Sequence, residues 1–99
     1  MGTFRLSRLA EADLLSIGNY TLRTWGEAQT LRYIGELEAC CQQLADHPTS
    51  GRSCDDIRPG LRVFGFRRRV SIAFEITGEV VTILGIFYGG QKFEAAFDE

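Results

Sequence analysis

Polar and apolar residues alternate near the start of the chain, where Thr3, Phe4, Arg5, Leu6 and Ser7 place Phe4 and Leu6 on one face of a short strand. The period then changes. From Ser7, a hydroxyl suited to capping, small or apolar positions recur at Ala10, Leu14, Ile17, Thr21 and Trp25, a helical spacing with Glu11 and Asp13 near its positive end. Gly26 supplies the stop. A second helix starts at Glu27, carries Leu31, Ile34, Leu37, Cys41 and Leu44 on one stripe, and ends at His47-Pro48, because a residue before proline is pushed out of the helical region. Two antiparallel helices joined at one glycine make a helical hairpin.

Residues 48–60 (PTSGRSCDDIRPG) turn to Gly, Pro, Ser and Asp and predict an irregular connection. Strands are predicted beyond it over 61–66, 69–77 and 80–88. In the second of these, Val70, Ile72, Phe74 and Ile76 alternate with Arg69, Ser71, Ala73 and Glu75; Thr77-Gly78-Glu79 is a tight turn. The third is nearly all apolar (VVTILGIFY), as a central strand covered on both faces would be. Gly89 and Gly90 end it, and Phe93 and Phe97 follow four residues apart, the spacing of a single helical turn. The order β-α-α-β-β-β describes an α+β fold: a helical hairpin packed on one face of a small antiparallel sheet. Periodicity points Leu14, Ile17, Leu37, Leu44, Ile72, Phe74 and Ile83 into one shared core.

A chain of 99 residues with 44% apolar content accommodates one such domain, over residues 1–99. No stretch reads as a secretory h-region or a bilayer span, so a cytoplasmic location without membrane contact is expected. Cys40, Cys41 and Cys54 form no CxxC pair and His47 has no ligand-spaced cysteine; neither a disulfide, a metal site nor a cofactor is expected. Of the adjacent mid-helix Cys40 and Cys41, one must point inward as a small core residue, whereas Cys54 lies in the connection, where exposure to solvent is open to it. His47 reads as a helix C-terminal residue facing the macrodipole. Asp55 and Asp56 are too close in sequence for a cleft-spanning acid pair and read as turn formers or partners of Arg52 or Arg58. Gly89-Gly90 lacks the lysine of a phosphate loop.

The formal net charge of −2 argues against generic nucleic-acid binding, yet six arginines (52, 58, 62, 67, 68 and 69) stand between residues 52 and 69 against two aspartates. Such a local excess suits an acidic partner, although solvated loop and edge charges would look the same. Arg58, Arg62, Arg67, Arg68 and Arg69 could contact phosphate or a protein carboxylate through bidentate guanidinium geometry. An RNA-cleaving site would also need a general acid and base, for which only Tyr88, Glu75 and Lys92 offer themselves.

Five segments in order closely resemble the ParE toxins of bacterial toxin-antitoxin pairs. They are A-x-x-D-L-x-x-I-x-x-Y in the first helix (Ala10, Asp13, Leu14, Ile17, Tyr20), the Trp25-Gly26 hinge, L-A-x-x-P-x-x-G-R from Leu44 to Arg52, I-R-P-G-L-R from Ile57 to Arg62, and Y-G-G-Q from Tyr88 to Gln91. The resemblance covers nearly the whole chain. It implies the RelE/ParE fold and a toxin that binds DNA gyrase, through its A subunit, trapping the cleaved-DNA state, arresting growth and serving plasmid stabilisation. It also implies a ParD-like antitoxin whose C-terminal segment wraps the toxin; DNA is then met only indirectly, through the antitoxin complex. On this reading the protein is not itself an enzyme. Arg58, Arg62, Arg67, Arg68 and Arg69 face the antitoxin, and Tyr88, Gln91, Phe93 and Phe97 face the target. RelE-like relatives cut mRNA on the ribosome, a role that would fall here to Arg58, Arg62, Arg68 and Tyr88; this chain has a single lysine, Lys92, and a negative net charge. Arg69 and Tyr88 stand where histidine is frequent in ParE toxins. A third reading is a non-toxic module that only binds an antitoxin.

Overall fold

In the computed structural model, which describes residues 2–67 and 70–88, the chain runs β1 (Thr3–Leu6), α1 (Arg8–Trp25), α2 (Glu27–Asp46), a 3₁₀ turn (Pro48–Ser50), β2 (Arg52–Ser53), β3 (Arg62–Phe66), β4 (Val70–Thr77) and β5 (Val80–Tyr88). The Ser7 side chain accepts from the Ala10 N–H at 3.1 Å, so the cap read from sequence forms as expected. Gly26 takes φ 89°, a conformation that favours glycine, and turns the chain between the helices in one residue. His47 closes α2 with its N–H on Gln43 O. Residues 48–60 are less irregular than expected: Pro48 opens a 3₁₀ turn, and Arg52 and Ser53 pair with Val63 and Arg62 as a two-residue strand.

The sheet has five strands in the order β1-β5-β4-β3-β2. Neighbours from β2 to β5 pair antiparallel, as expected. Strand β1 is the exception, since it lies parallel to β5 with Thr3 opposite Val80 and Leu6 opposite Ile83. A parallel neighbour needs a long crossover, and here everything between β1 and β5, the helical hairpin and strands β2 to β4, supplies it. The apolar run of β5 has its own explanation. Ala73 pairs with Gly85 but Phe74 pairs with Ile83, leaving Leu84 as an extra residue. This bulge resets the alternation, so that Val81, Ile83 and Ile86 all face the helices while Leu84 and Phe87 face away.

The seven residues assigned to the core do pack together, Leu14 at its half-buried margin and the others buried. The expectation of one core needs correction, because a second cluster of Cys54, Leu61, Val63, Ala73 and Phe87 lies on the other face under the 54–61 connection. Cys54 is therefore 1% exposed, not solvent-open. Three further facings differ from the pattern. Leu31 is 68% exposed because the buried stripe of α2 runs through Tyr33, Leu37, Cys41 and Leu44. Trp25, the last residue of α1, packs edge-on against Tyr33 and is half exposed. Ile76 sits next to Val81 near the β4–β5 turn, where the helices do not cover it.

Candidate functional site

Of the arginines named from sequence, the described ones, Arg58, Arg62 and Arg67, do not form one patch. Arg62 alternates with Phe64 and Phe66 on the helix-facing side of β3, where its guanidinium donates to Gly51 O at 2.8 Å and its Nε is buried without a partner. It holds the 48–53 segment. Gly51 is required there, since a Cβ would lie 2.4 Å from the Phe74 ring. Arg58 belongs to the opposite face, 3.9 Å from Glu75, while the Asp55 carboxylate accepts from Gly60 N–H at 2.8 Å and forms the turn. Gly60 itself has φ 84°. Arg67, just past β3, lies in the left-handed region (φ 56°), a strained place for a side-chain-bearing residue; an ion pair with Glu36 and the Tyr33 and Phe66 rings, each 5.6 Å from its guanidinium carbon, hold it there. Arg68 and Arg69 lie outside the described residues, as do Gln91, Phe93 and Phe97.

Tyr88 ends β5 opposite Val70 and meets Tyr20 ring to ring at 5.8 Å. The two tyrosines, with Asp13, Ser16, Ile17 and Ile86, line a cleft of about 300 Å³ between α1 and β5. Asp13 spends one carboxylate oxygen on the Ile86 N–H at 2.9 Å. Tyr88 and Arg58 thus lie on opposite faces of the sheet, and Arg62 is tied to Gly51. Among the described residues the set needed for RNA cleavage is not brought together. Burial raises the Tyr33 phenol, Tyr88 adds to the rise, and the Arg67 charge partly offsets it. Cys41 is pushed up to about 12, first by burial, and Cys40 is raised by burial as well. No three His, Cys, Asp or Glu groups among the described residues are placed to hold a metal, and no helix among them is long and apolar enough to cross a membrane.

The two sides of the sheet end differently. Strand β1 covers β5 only to Ile83, and past it the start of α1 covers the next stretch: Ser7, its N-cap, donates its N–H to Ile83 O and its Oγ to Leu84 O, and Asp13 accepts from Ile86 N–H. On the other side β2 covers β3 only at Arg62 and Val63. Beyond it Phe64, Gly65, Phe66 and Arg67 border a groove of about 350 Å³ against Glu36, Ala39, Cys40 and Gln43 of α2. Sequence reading missed both Asp13's role and this groove. The aspartate was visible in the helix 1 motif, but its partner is a backbone group 73 residues away that no spacing reveals.

The model of the ParE toxin of type II toxin-antitoxin systems, parDE, matches residues 4–93. The chain is 40% identical over 62 residues to Toxin ParE1 of Caulobacter vibrioides, covering 63% of this chain and 65% of that protein. It is 36% identical over 76 residues to Toxin ParE1 of Mycobacterium tuberculosis, covering 77% of this chain and 76% of the relative. With Toxin ParE of Escherichia coli the identity is 32% over 88 residues, 89% of this chain and 85% of the other. A chain of the chromosomal ParDE TA system from P. aeruginosa shares the fold, with TM-score 0.75 at 23% identity over 90% of this chain and 97% of that one. The segments from which the resemblance was read fall on the scaffold just described: Ala10, Asp13 and Ile17 on the α1–β5 seam, Gly51 on Phe74, Gly60 and Leu61 in the connection. By its fold, by those segments and by the family match, the chain belongs to the ParE toxins of type II toxin-antitoxin systems.

Proposed function

We propose that this toxin acts in the cytoplasm by binding DNA gyrase, through its A subunit, and is neutralised by a ParD-like antitoxin. The family match over residues 4–93 carries the reading. Two features of the molecule support it. Among the described residues, the groups an RNA-cleaving relative would use are held apart, with Arg58 beside Glu75, Arg62 on Gly51 and Tyr88 against Tyr20. The 52–69 stretch, with six arginines to two aspartates, suits an acidic antitoxin segment, in which charge pairing sets association rate and specificity. Target contact falls to Tyr88, Gln91, Phe93 and Phe97, as sequence reading assigned them.

The test is a gyrase supercoiling and cleavage assay with the purified chain, alone and with the antitoxin encoded beside it. Accumulated cleaved DNA that the antitoxin suppresses is the expected result. Unimpaired gyrase together with rapid arrest of translation in cells would transfer the reading to the mRNA-cleaving relatives. Tyr88→Phe sharpens this, because it removes a hydroxyl that a ribonuclease needs for proton transfer and a gyrase inhibitor does not. Deleting residues 90–99 is expected to abolish gyrase inhibition while sparing antitoxin binding.

A further inference from the structure

We infer that the cleft between α1 and β5 receives an arginine side chain of the target protein, with the Asp13 carboxylate as its counter-charge and the Tyr20 ring as its stacking surface. The inference rests on the target reading above and gives that contact a chemistry. Asp13, Ser16, Ile17 and Tyr20 stand at i, i+3, i+4 and i+7 along α1, so they share one helix face. Ile17 and Ile86 are buried and close the cleft on its inner side, while Asp13, Ser16, Tyr20 and Tyr88 complete a space of about 300 Å³.

The carboxylate is fixed in place and only partly used. Its Oδ2 accepts from Ile86 N–H at 2.9 Å, which anchors the side chain at the margin of the sheet past the end of β1. No other hydrogen bond and no ion pair engages Asp13 among the described residues, where the salt bridges join Arg58 to Glu75 and Arg67 to Glu36. An ionised carboxylate accepts on both oxygens, so Oδ1 remains available to a donor in the cleft. A negative charge partly withdrawn from water, with one backbone dipole as its only partner, attracts a cation more strongly than the same charge in open solvent.

The surroundings select arginine among cations. Tyr20 meets Tyr88 at a tilted 52° yet is 45% exposed, so part of its surface stays open in the same cleft as the carboxylate. A guanidinium is planar: it stacks on an aromatic face while its N–H groups donate sideways, here to Asp13 and to the exposed Ser16 hydroxyl. Charge also excludes other occupants. A DNA phosphate and an acidic antitoxin segment are both repelled by Asp13, so this cleft and the arginine-rich 52–69 stretch suit partners of opposite sign.

Asp13→Asn keeps an amide oxygen for Ile86 N–H and removes the charge. It is expected to weaken gyrase inhibition by about tenfold or more while antitoxin affinity stays within about twofold of wild type. Tyr20→Leu, at an exposed position, should weaken inhibition in the same selective way. A small probe supplies a measurement independent of gyrase. N-acetyl-arginine amide, titrated into the wild-type chain at millimolar concentration, is expected to shift the Ile86 amide and Tyr20 ring resonances. The neutral N-acetyl-glutamine amide should not shift them, and Asp13→Asn should abolish the response to arginine. If wild type ignores the arginine probe or answers both probes alike, or if Asp13→Asn inhibits gyrase as fully as wild type, the cleft proposal falls and the gyrase reading stands. A loss of antitoxin affinity in Asp13→Asn as large as the loss of inhibition also overturns it, because the aspartate then acts on the fold or on the antitoxin. If the arginine probe binds but wild type leaves gyrase unimpaired, the gyrase reading falls and the arginine site stands.

Discussion

The two margins of the sheet solve one problem in opposite ways. At β5 the strand outruns its neighbour β1, and α1 bends side chains onto the exposed backbone: Ser7 on Leu84 O, Asp13 on Ile86 N–H. At β3 the strand outruns β2, and the facing helix offers Ala39, Cys40 and Gln43 without closing the gap. A carboxylate aimed at a backbone N–H is a strong, local way to retire an edge. Among the described residues the edge of β3 at Gly65 has no such cover. One margin therefore contributes to stability through its side-chain caps, while the other is left open among the described residues.

That division can be broken experimentally. The largest effect belongs to the core both margins share: Phe74→Ala should cost about 3–5 kcal/mol in a urea melt, because its ring is fully buried and also seats Gly51. Next comes the closed margin. Asp13→Ala leaves Ile86 N–H without its charged acceptor and should cost about 1.5–3 kcal/mol, with Asp13→Asn recovering part of the loss. A smaller change, of opposite sign, is expected at the open margin, where Gly65→Ala should raise stability by about 0.4–1 kcal/mol by stiffening the unfolded chain. If Asp13→Ala and Gly65→Ala shift the midpoint alike, the contrast between margins is wrong.

Adjacent cysteines give the finest test. Cys40 borders the open groove and is half-buried, whereas Cys41 and Cys54 are 2% and 1% exposed. Alkylation of the folded protein followed by peptide mass mapping should place the adduct on Cys40 alone. At neutral pH the buried Cys41 thiol adds no pH dependence. Its folded value of about 12 stands above the ordinary 9.0, so the unfolded chain loses this proton first as pH rises. The associated stability is whole below about 9 and declines from there towards 12. Cys41→Ala should flatten the thermal-melt decline over that window; an unchanged slope would assign it elsewhere.

How far the sequence carried this picture depended on the range of the interaction. Ser7, Gly26 and His47-Pro48 act within a few residues, and each ended or began a helix where the pattern placed it. The core followed as well, since Ile17, Leu37, Leu44, Ile72, Phe74 and Ile83 need only correct periodicity to face inward. Long-range geometry was hidden. The parallel placing of β1 and the bulge at Leu84 are properties of pairing between distant strands, and VVTILGIFY reads alike with or without a bulge. The arginines show the same limit: a dense run in sequence divides between both faces of the sheet, because successive strand residues alternate sides and Arg58 sits in a connection. The motifs that identified the family were legible for a different reason. Gly51, Gly60 and Asp13 answer steric and backbone demands that admit few residue types.

The place of β5 has a consequence for how the toxin comes into being. This strand, running to Tyr88, lies between β1 and β4 and under α1, and it bonds with residues made at the other end of synthesis: Ser7 and Leu84 are 77 positions apart. While a ribosome is still translating the residues before Val80, β1 has no strand to join and the helical hairpin has only part of the surface it covers. Contacts this distant in sequence close last and slowly. The nascent chain thus spends most of its elongation as an incomplete sheet, and its binding surfaces take form only after β5 has cleared the exit tunnel.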